Sequence, residues 1–221
     1  MRLLVAITLF LAPVTAGTAS LPRFSQGYLA LGDSYTIGES VAAAERYPVL
    51  AMQEAGIPGQ PDIIATTGWT TGDLLEALAS AKPASGYQVV SLLIGVNNQY
   101  QGRSLDEYRE QFTSLLKTAI TLAGDRPAHV IVLSIPDYSV TPFARGLGRD
   151  KTLIAEQIDS FNDINHTIAL QFGVNYLDVT TESRKAAADP SLIAADGLHF
   201  SGKEYAVWAA RMSPVIRSLW K

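Results

Sequence analysis

Short apolar runs alternate with amphipathic stretches along most of the chain. A continuous apolar run that ends in a turn signal indicates a buried parallel strand, whereas apolar residues at steps of three and four indicate a helix. The alternation of the two patterns predicts a parallel sheet with helices on both faces. We therefore expect an α/β fold, a three-layer α/β/α sandwich around a five-stranded parallel sheet. The five predicted strands cover residues 28–32, 62–65, 87–94, 129–135 and 174–179.

The predicted helices have recognisable start signals. Ser104 with Glu107, and Ser201 with Glu204, have the spacing of a capping box, in which the serine and the acidic side chain each accept a hydrogen bond from the other's backbone N–H. The segment 136–150 is polar and rich in glycine and proline, which predicts a mobile loop. The helices are predicted to start at Arg46-Tyr47-Pro48, at Thr70 or Thr71, at Ser104, at Lys151 and at Ser201.

The first 19 residues follow a different pattern. Arg2 precedes an apolar run over residues 3–11, and small residues then allow cleavage after Ala16 or Ala19. This order of charge, apolar run and small residues is typical of a secretory signal peptide, and the run is too short to span a bilayer. We therefore expect a signal peptide at residues 1–19, a secreted or periplasmic protein, and one domain over residues 20–221.

Charge and cysteine usage narrow the possible partners. Without Arg2 the chain has 16 basic and 21 acidic residues, and this mildly acidic balance argues against nucleic acid and against an electrostatic membrane anchor. The chain has no cysteine, so it has neither a disulfide nor the thiol that a bacterial lipid anchor needs. We expect a small-molecule or polymer-borne substrate; the sequence does not predict an oligomeric state.

Ser34 lies directly after the first predicted strand, in the sequence Gly32-Asp33-Ser34. Gly32 allows the chain to turn sharply as it leaves the strand. The loops at the carboxyl ends of parallel strands are where open α/β sheets place their chemistry. If a helix starts just after Ser34, the backbone N–H of this serine can stabilise a developing negative charge. These features make Ser34 a candidate nucleophile. Gly68 and Asn97 lie in two further loops that directly follow predicted strands, and we expect these loops at the same edge of the sheet.

Three histidines are available to activate such a nucleophile. His129 opens a predicted strand and His166 lies away from the apolar face of its helix, so we expect both to be structural or solvated. His199 differs because Asp196 lies three residues upstream in the same turn. The carboxylate can hold the imidazole Nδ1–H and leave Nε2 to take the proton of Ser34. This spacing predicts a nucleophile, a base and an orienting acid.

In four separated blocks the chain resembles the GDSL-type, or SGNH, hydrolases. The resemblance implies a flavodoxin-like sheet and a serine ester hydrolase, with Ser34 as the acylated nucleophile, His199 as general base and then acid, and Asp196 orienting His199. It also implies an oxyanion hole formed by the N–H groups of Ser34 and Gly68 with the side-chain amide of Asn97, and it implies neither a cofactor nor a metal. The blocks are Gly32-Asp33-Ser34-Tyr35, Gly68, Gly95-Val96-Asn97 and Asp196-Gly197-Leu198-His199.

One position departs from the family pattern, and the triad itself is compatible with several classes of substrate. Such proteins often have Asp after the asparagine of the third block, where this chain has Asn98, so we expect the loop around Asn97 to be held differently. Besides an esterase or lipase, the same triad serves a carbohydrate O-acetylesterase, in which Trp69, Tyr100 or Tyr138 would stack on a sugar, a lysophospholipase or a thioesterase.

Hypotheses from other functional classes fit the sequence less well. A glycan- or lipid-binding module without activity would be expected to have lost a triad residue, and this chain retains all three. The glycine patterns of nucleotide-binding loops are absent after Gly32. A metal hydrolase is disfavoured because His199 has no second histidine at ligand spacing and the chain has no cysteine.

Overall fold

The structure, a computed structural model, describes residues 27–220. Five strands form one sheet, β1 Tyr28–Gly32, β2 Asp62–Ala65, β3 Val89–Leu93, β4 Val130–Leu133 and β5 Asn175–Leu177. The sheet is fully parallel and runs in the order β2-β1-β3-β4-β5, which is the flavodoxin-like order. The predicted fold class is therefore confirmed. The apolar runs extend past β3 and β4 because flanking residues such as Ile94 and Ile135 are buried without joining a strand.

The longer helices form two packed groups, α2 (Tyr47–Ala55) with α9 (Gly202–Leu219), and α3 (Thr71–Ala81) with α5 (Leu105–Leu122) and α7 (Lys151–Phe172). None of the helices within residues 27–220 combines the length and the apolar character that a bilayer crossing requires. The predicted signal peptide, residues 1–19 with cleavage after Ala16 or Ala19, lies outside the described residues. The remaining helices are short: α1 Ser34–Ile37, α4 Val96–Tyr100, α6 Pro142–Gly146 and α8 Thr180–Ser183.

Strand β1 lies between β2 and β3, and all five of its residues are buried. Gly32 ends this strand, and the structure gives it a different role from the sharp turn that the sequence predicted. A Cβ on Gly32 would lie 2.1 Å from Thr36 Oγ1 and 2.4 Å from the carbonyl oxygen of Leu93. Only glycine therefore lets α1 fold back closely over the end of the sheet, which fixes where Ser34 lies.

Of the two predicted capping boxes, the one at α5 forms in part and the one at α9 does not form. Ser104 caps α5 by accepting from the N–H of Glu107, but Glu107 uses its own carboxylate for Gln111 instead of the N-cap. At α9 the prediction is wrong. Ser201 donates its hydroxyl to the carbonyl of Ser191, and Glu204 is buried, where it accepts from the indole N–H of Trp208. Tertiary partners therefore compete successfully with the local cap.

The segment 136–150, predicted as a mobile loop from its composition, contains regular structure. It contains a single 3₁₀ turn over Tyr138–Val140 and then helix α6, which Thr141 caps by accepting from the N–H of Ala144. Tyr138 and Ala144 are buried. Apolar side chains from a glycine- and proline-rich segment thus join the core beside the sheet edge.

Candidate active site

Ser34 is the first residue of α1, immediately after β1. Asp33 is the N-cap residue, and its Oδ1 accepts from the N–H of Tyr35 at 3.1 Å. This cap leaves the N–H of Ser34 at the open end of the helix, where it can bind a negative charge. Ser34 is 5% exposed and lines a pocket at the carboxyl edge of the sheet.

His199 lines the same pocket as Ser34, from a turn that precedes α9. Its Nδ1 lies 2.5 Å from Asp196 Oδ2, and the edge of the Tyr35 ring packs against the imidazole with centroids 5.7 Å apart. The ring is thereby held from two sides, with Nε2 left for the pocket. Within residues 27–220 no hydrogen bond joins Ser34 Oγ to the imidazole, and this contact is often long before substrate binds.

Asp196 is fixed by an array of hydrogen bonds. Its Oδ1 accepts from the N–H groups of Leu198 and His199, while its Oδ2 accepts from Ser40 Oγ as well as from His199. Partial burial on its own would raise the pKa of Asp196, but these hydrogen bonds outweigh it and hold the pKa well below its usual range. The residue is a carboxylate at any pH near neutral.

The other two predicted oxyanion donors line the pocket as well. Gly68 lines the pocket with φ +88°, and outside its chain neighbours no atom lies within 4 Å of where its Cβ would be, so the space beside it is open. Asn97, in α4, donates one amide hydrogen to the carbonyl of Trp69 at 2.9 Å. That bond fixes the amide, and its second hydrogen is free to donate to a ligand. Three candidate donors, on Ser34, Gly68 and Asn97, therefore surround one pocket.

The pocket is largely apolar away from these donors, and its volume is about 170 Å³. Tyr100 packs between Tyr138 and Phe143, with ring centroids 6.3 and 6.2 Å apart. Of the aromatic residues singled out in the sequence, Tyr100 and Tyr138 line the pocket, whereas Trp69 packs half-buried against the core. Sequence reasoning assigned no pocket role to the remaining wall residues, which are Tyr35, Thr67, Val96, Phe143 and Leu198.

Asn98, the position that departs from the family pattern, is completely buried. Its Oδ1 accepts from the N–H of Thr71 at 3.0 Å, and its Nδ2 donates to Thr71 Oγ1 at 2.7 Å. Both ends of the amide are therefore used to join α4 to the start of α3. Because Asn97 is bonded to Trp69 in the same stretch, Asn98 holds the two halves of the predicted oxyanion hole together.

The two other histidines lie in structural contacts. His129 directly precedes β4, and its Nδ1 lies 2.7 Å from the carbonyl oxygen of Gln88. His166 stacks on Tyr176 with ring centroids 4.4 Å apart. Neither residue lines the pocket that Ser34 and His199 share. His199 is therefore the histidine available to that pocket.

Comparison with known proteins decides the family. A sequence model described as the GDSL-like Lipase/Acylhydrolase family matches residues 30–207, which is most of the chain. The chain belongs to this family. No curated protein sequence matches this GDSL-family chain.

Solved structures share the fold of this GDSL-family chain. It is 21% identical to the lipase/acylhydrolase from Enterococcus faecalis, with TM-score 0.64 over 89% of this chain and 98% of that one. Phospholipase A1 from Streptomyces albidoflavus NA297 gives 20% identity and TM-score 0.64 over 87% and 98% of the two chains. A variant of an acetyl xylan esterase from Geobacillus stearothermophilus gives 20% identity and TM-score 0.62 over 87% and 95%.

Proposed function

We propose that this protein is a secreted serine hydrolase that cleaves carboxylic esters through a covalent acyl-enzyme. The observation that carries the proposal is the shared pocket of Ser34 and His199, with the imidazole Nδ1 2.5 Å from a carboxylate oxygen of Asp196. A nucleophile, a base and a group that orients the base are the parts that acyl transfer requires. Family membership supports the same reaction class.

In the acylation step, Ser34 Oγ attacks the ester carbonyl carbon while His199 Nε2 takes the hydroxyl proton. The resulting oxyanion is stabilised by the N–H groups of Ser34 and Gly68 and by the amide of Asn97. The intermediate collapses as His199 returns the proton to the departing alcohol, which leaves an acyl group on Ser34. Asp196 stays ionised and stabilises the imidazolium.

In the deacylation step, water replaces the alcohol. His199 takes a proton from the water, whose oxygen attacks the acyl carbon, and the second tetrahedral intermediate uses the same three donors. Collapse breaks the bond to Ser34 Oγ, to which His199 gives its proton. The products are one carboxylic acid and the regenerated enzyme, so no external reductant, oxidant or metal is needed.

A substrate panel tests the proposal and separates the substrate classes that share this chemistry. We expect p-nitrophenyl esters to be hydrolysed by the wild-type protein, and the Ser34→Ala variant to lose at least about 10⁴-fold in kcat. Acetylated xylan, a lysophospholipid and an acyl thioester, assayed beside them, rank the possible natural substrates. Undiminished hydrolysis by a folded Ser34→Ala protein would refute the mechanism.

A further inference from the structure

The turn that follows α1, residues 38–40, bridges two parts of the candidate site. Ser40 Oγ donates to Asp196 Oδ2 at 2.7 Å, across 156 positions of sequence. The neighbouring Glu39 accepts at Oε2 from Thr67 Oγ1 at 2.5 Å, and Thr67 directly precedes Gly68. One short turn, attached to the helix that begins with Ser34, thus contacts both the acid of the triad and the loop of an oxyanion donor.

The backbone of Ser40 supports a specific role for its side chain. Ser40 has φ +65°, a left-handed conformation that is strained for a residue with a Cβ. The other non-glycine residues with positive φ within residues 27–220 are Lys82 and Asp125, and both lie just beyond the ends of long helices. Ser40 is instead placed so that its hydroxyl reaches Asp196. Glycine would fit the same backbone without strain, but it would lack the hydroxyl.

Asp196 has one oxygen that the local backbone does not fix. Its Oδ1 is held by the N–H groups of Leu198 and His199, within the same turn. Its Oδ2 faces the imidazole, and among the described residues Ser40 is the one other donor to that oxygen. The Ser40 hydroxyl is therefore a contact from outside the turn that restrains the rotation of the carboxylate beside the imidazole.

We infer that Ser40 and Glu39 are positioning residues, Ser40 for the Asp196–His199 pair and Glu39 for the Thr67–Gly68 loop. The inference rests on the proposed function and adds two residues to it. Neither side chain touches the reacting atoms. They act by tying the acid turn and the oxyanion loop to the helix of the nucleophile.

The Ser40→Gly variant separates positioning from a merely structural role. Glycine removes the hydroxyl and also relieves the positive φ, so we expect the melting temperature to stay equal or rise. We expect kcat for p-nitrophenyl esters to fall about five- to tenfold, the effect of one hydrogen bond, with KM within about twofold. A Ser40→Asn variant accepts the same φ and supplies an N–H donor, so it should recover part of the lost kcat.

Ser191→Ala is the matched control. Ser191 Oγ also donates to a carboxylate, that of Asp189, at 2.6 Å on the surface, and neither residue lines the pocket. We expect this variant to keep the wild-type kcat. A Ser40→Gly kcat equal to wild type, or a loss that Ser191→Ala matches, overturns the role of Ser40.

A spectroscopic measurement tests Ser40 without any substrate. The proton between His199 Nδ1 and Asp196 should give a downfield proton NMR resonance, identified by its loss in His199→Ala. We expect this resonance to move or broaden in Ser40→Gly and to stay in place in Ser191→Ala. An unchanged resonance in Ser40→Gly contradicts the inference. The resonance is measured without turnover, so it tests the role of Ser40 independently of activity. An inactive wild-type protein would refute the proposed function, and the resonance would still decide the role of Ser40.

The Glu39→Ala variant tests the second contact. Removing the carboxylate frees Thr67 and lets the loop that carries Gly68 move, so we expect kcat to fall about fivefold with little change in KM. Glu39→Gln keeps an acceptor for the Thr67 hydroxyl and should recover most of the rate. Equal kcat in Glu39→Ala and wild type would remove Glu39 from the proposal.

Discussion

Two aspartates at the candidate site, Asp33 and Asp196, have surroundings that shift their pKa values in opposite directions. Asp33, which precedes Ser34, is completely buried, and its Oδ2 has no hydrogen-bond partner among the described residues. Burial raises the pKa of Asp33 from 3.8 to about 7. Asp196 has a side chain that is 29% exposed and accepts from four donors, and its pKa is held below the usual range despite partial burial.

The comparison shows that the balance between burial and hydrogen-bond donors decides the charge of each carboxyl group, since burial prevails at Asp33 and the donors prevail at Asp196. Asp33 accepts from the N–H of Tyr35, so it serves as a helix cap that stays largely protonated below neutral pH. Asp196 keeps its charge, and this charge lies against the imidazole of His199. We infer that the first group is structural and the second catalytic, and substitution by asparagine distinguishes the two roles.

The largest expected effect is that of Asp196→Asn on turnover. Asparagine has nearly the same shape, but it has no charge to stabilise the imidazolium and favours the wrong imidazole tautomer, so we expect kcat to fall about 10⁴-fold. Steady-state hydrolysis of a p-nitrophenyl ester measures this loss, with circular dichroism confirming the fold. A loss below tenfold would show that Asp196 does not act on His199.

The next largest effect is that of Asp33→Asn on stability. Because the pKa of Asp33 is raised in the folded state, the carboxyl group contributes its full stability below about pH 4 and loses it progressively as the pH rises from there through about 7. The shift of about three pKa units corresponds to about 4 kcal/mol. The asparagine of the variant does not titrate, so the variant should gain up to this amount over wild type between pH 4 and pH 8. Urea unfolding at both pH values measures the gain, and an equal difference at both would contradict the raised pKa.

The third expected effect is that of Asn97→Ala, which removes an uncharged polar group from the pocket. We expect Asn97→Ala to lower kcat about 10²- to 10³-fold, because one oxyanion donor is lost, while KM changes little. The loss should be smaller than that of Asp196→Asn. Hydrolysis within about threefold of wild type would exclude the amide of Asn97 from the oxyanion hole.

The smallest effect is that of Asp33→Asn on turnover. Asparagine caps a helix as well as aspartate does, and below pH 6 it replaces a group that is already mostly neutral. We therefore expect kcat at pH 6 to stay within about threefold of wild type. A loss approaching that of Asp196→Asn would mean that Asp33 takes part in the reaction and that the two carboxylates do not differ in role.

Local sequence patterns predicted much of the fold. The apolar run that ends at Gly32 predicted β1, and the alternation of patterns predicted the parallel sheet. These features depend on neighbouring residues, so the sequence contains them directly. The cap predicted for Ser201 was wrong because Ser191 and Trp208 offered Ser201 and Glu204 other partners.

Contacts between distant residues could not be predicted in the same way. The hydrogen bond from Ser40 to Asp196 and the two hydrogen bonds between Asn98 and Thr71 join separate loops, and no local pattern marks them. Phe143 belongs to the pocket although its segment has the composition of a loop. The predicted roles of Ser34 and His199 followed from four blocks of family resemblance, whereas the residues that hold them in place required coordinates.

Covalent labelling of Ser34 tests the central claim most directly. An alkyl fluorophosphonate, analysed by intact and peptide mass spectrometry, should add one group to the wild-type protein, on the peptide that contains Ser34. It should add none to Ser34→Ala, and it should react far more slowly with His199→Ala, because the base that activates the hydroxyl is gone. A label on another residue, or an unchanged label in Ser34→Ala, would contradict the assignment of Ser34 as nucleophile.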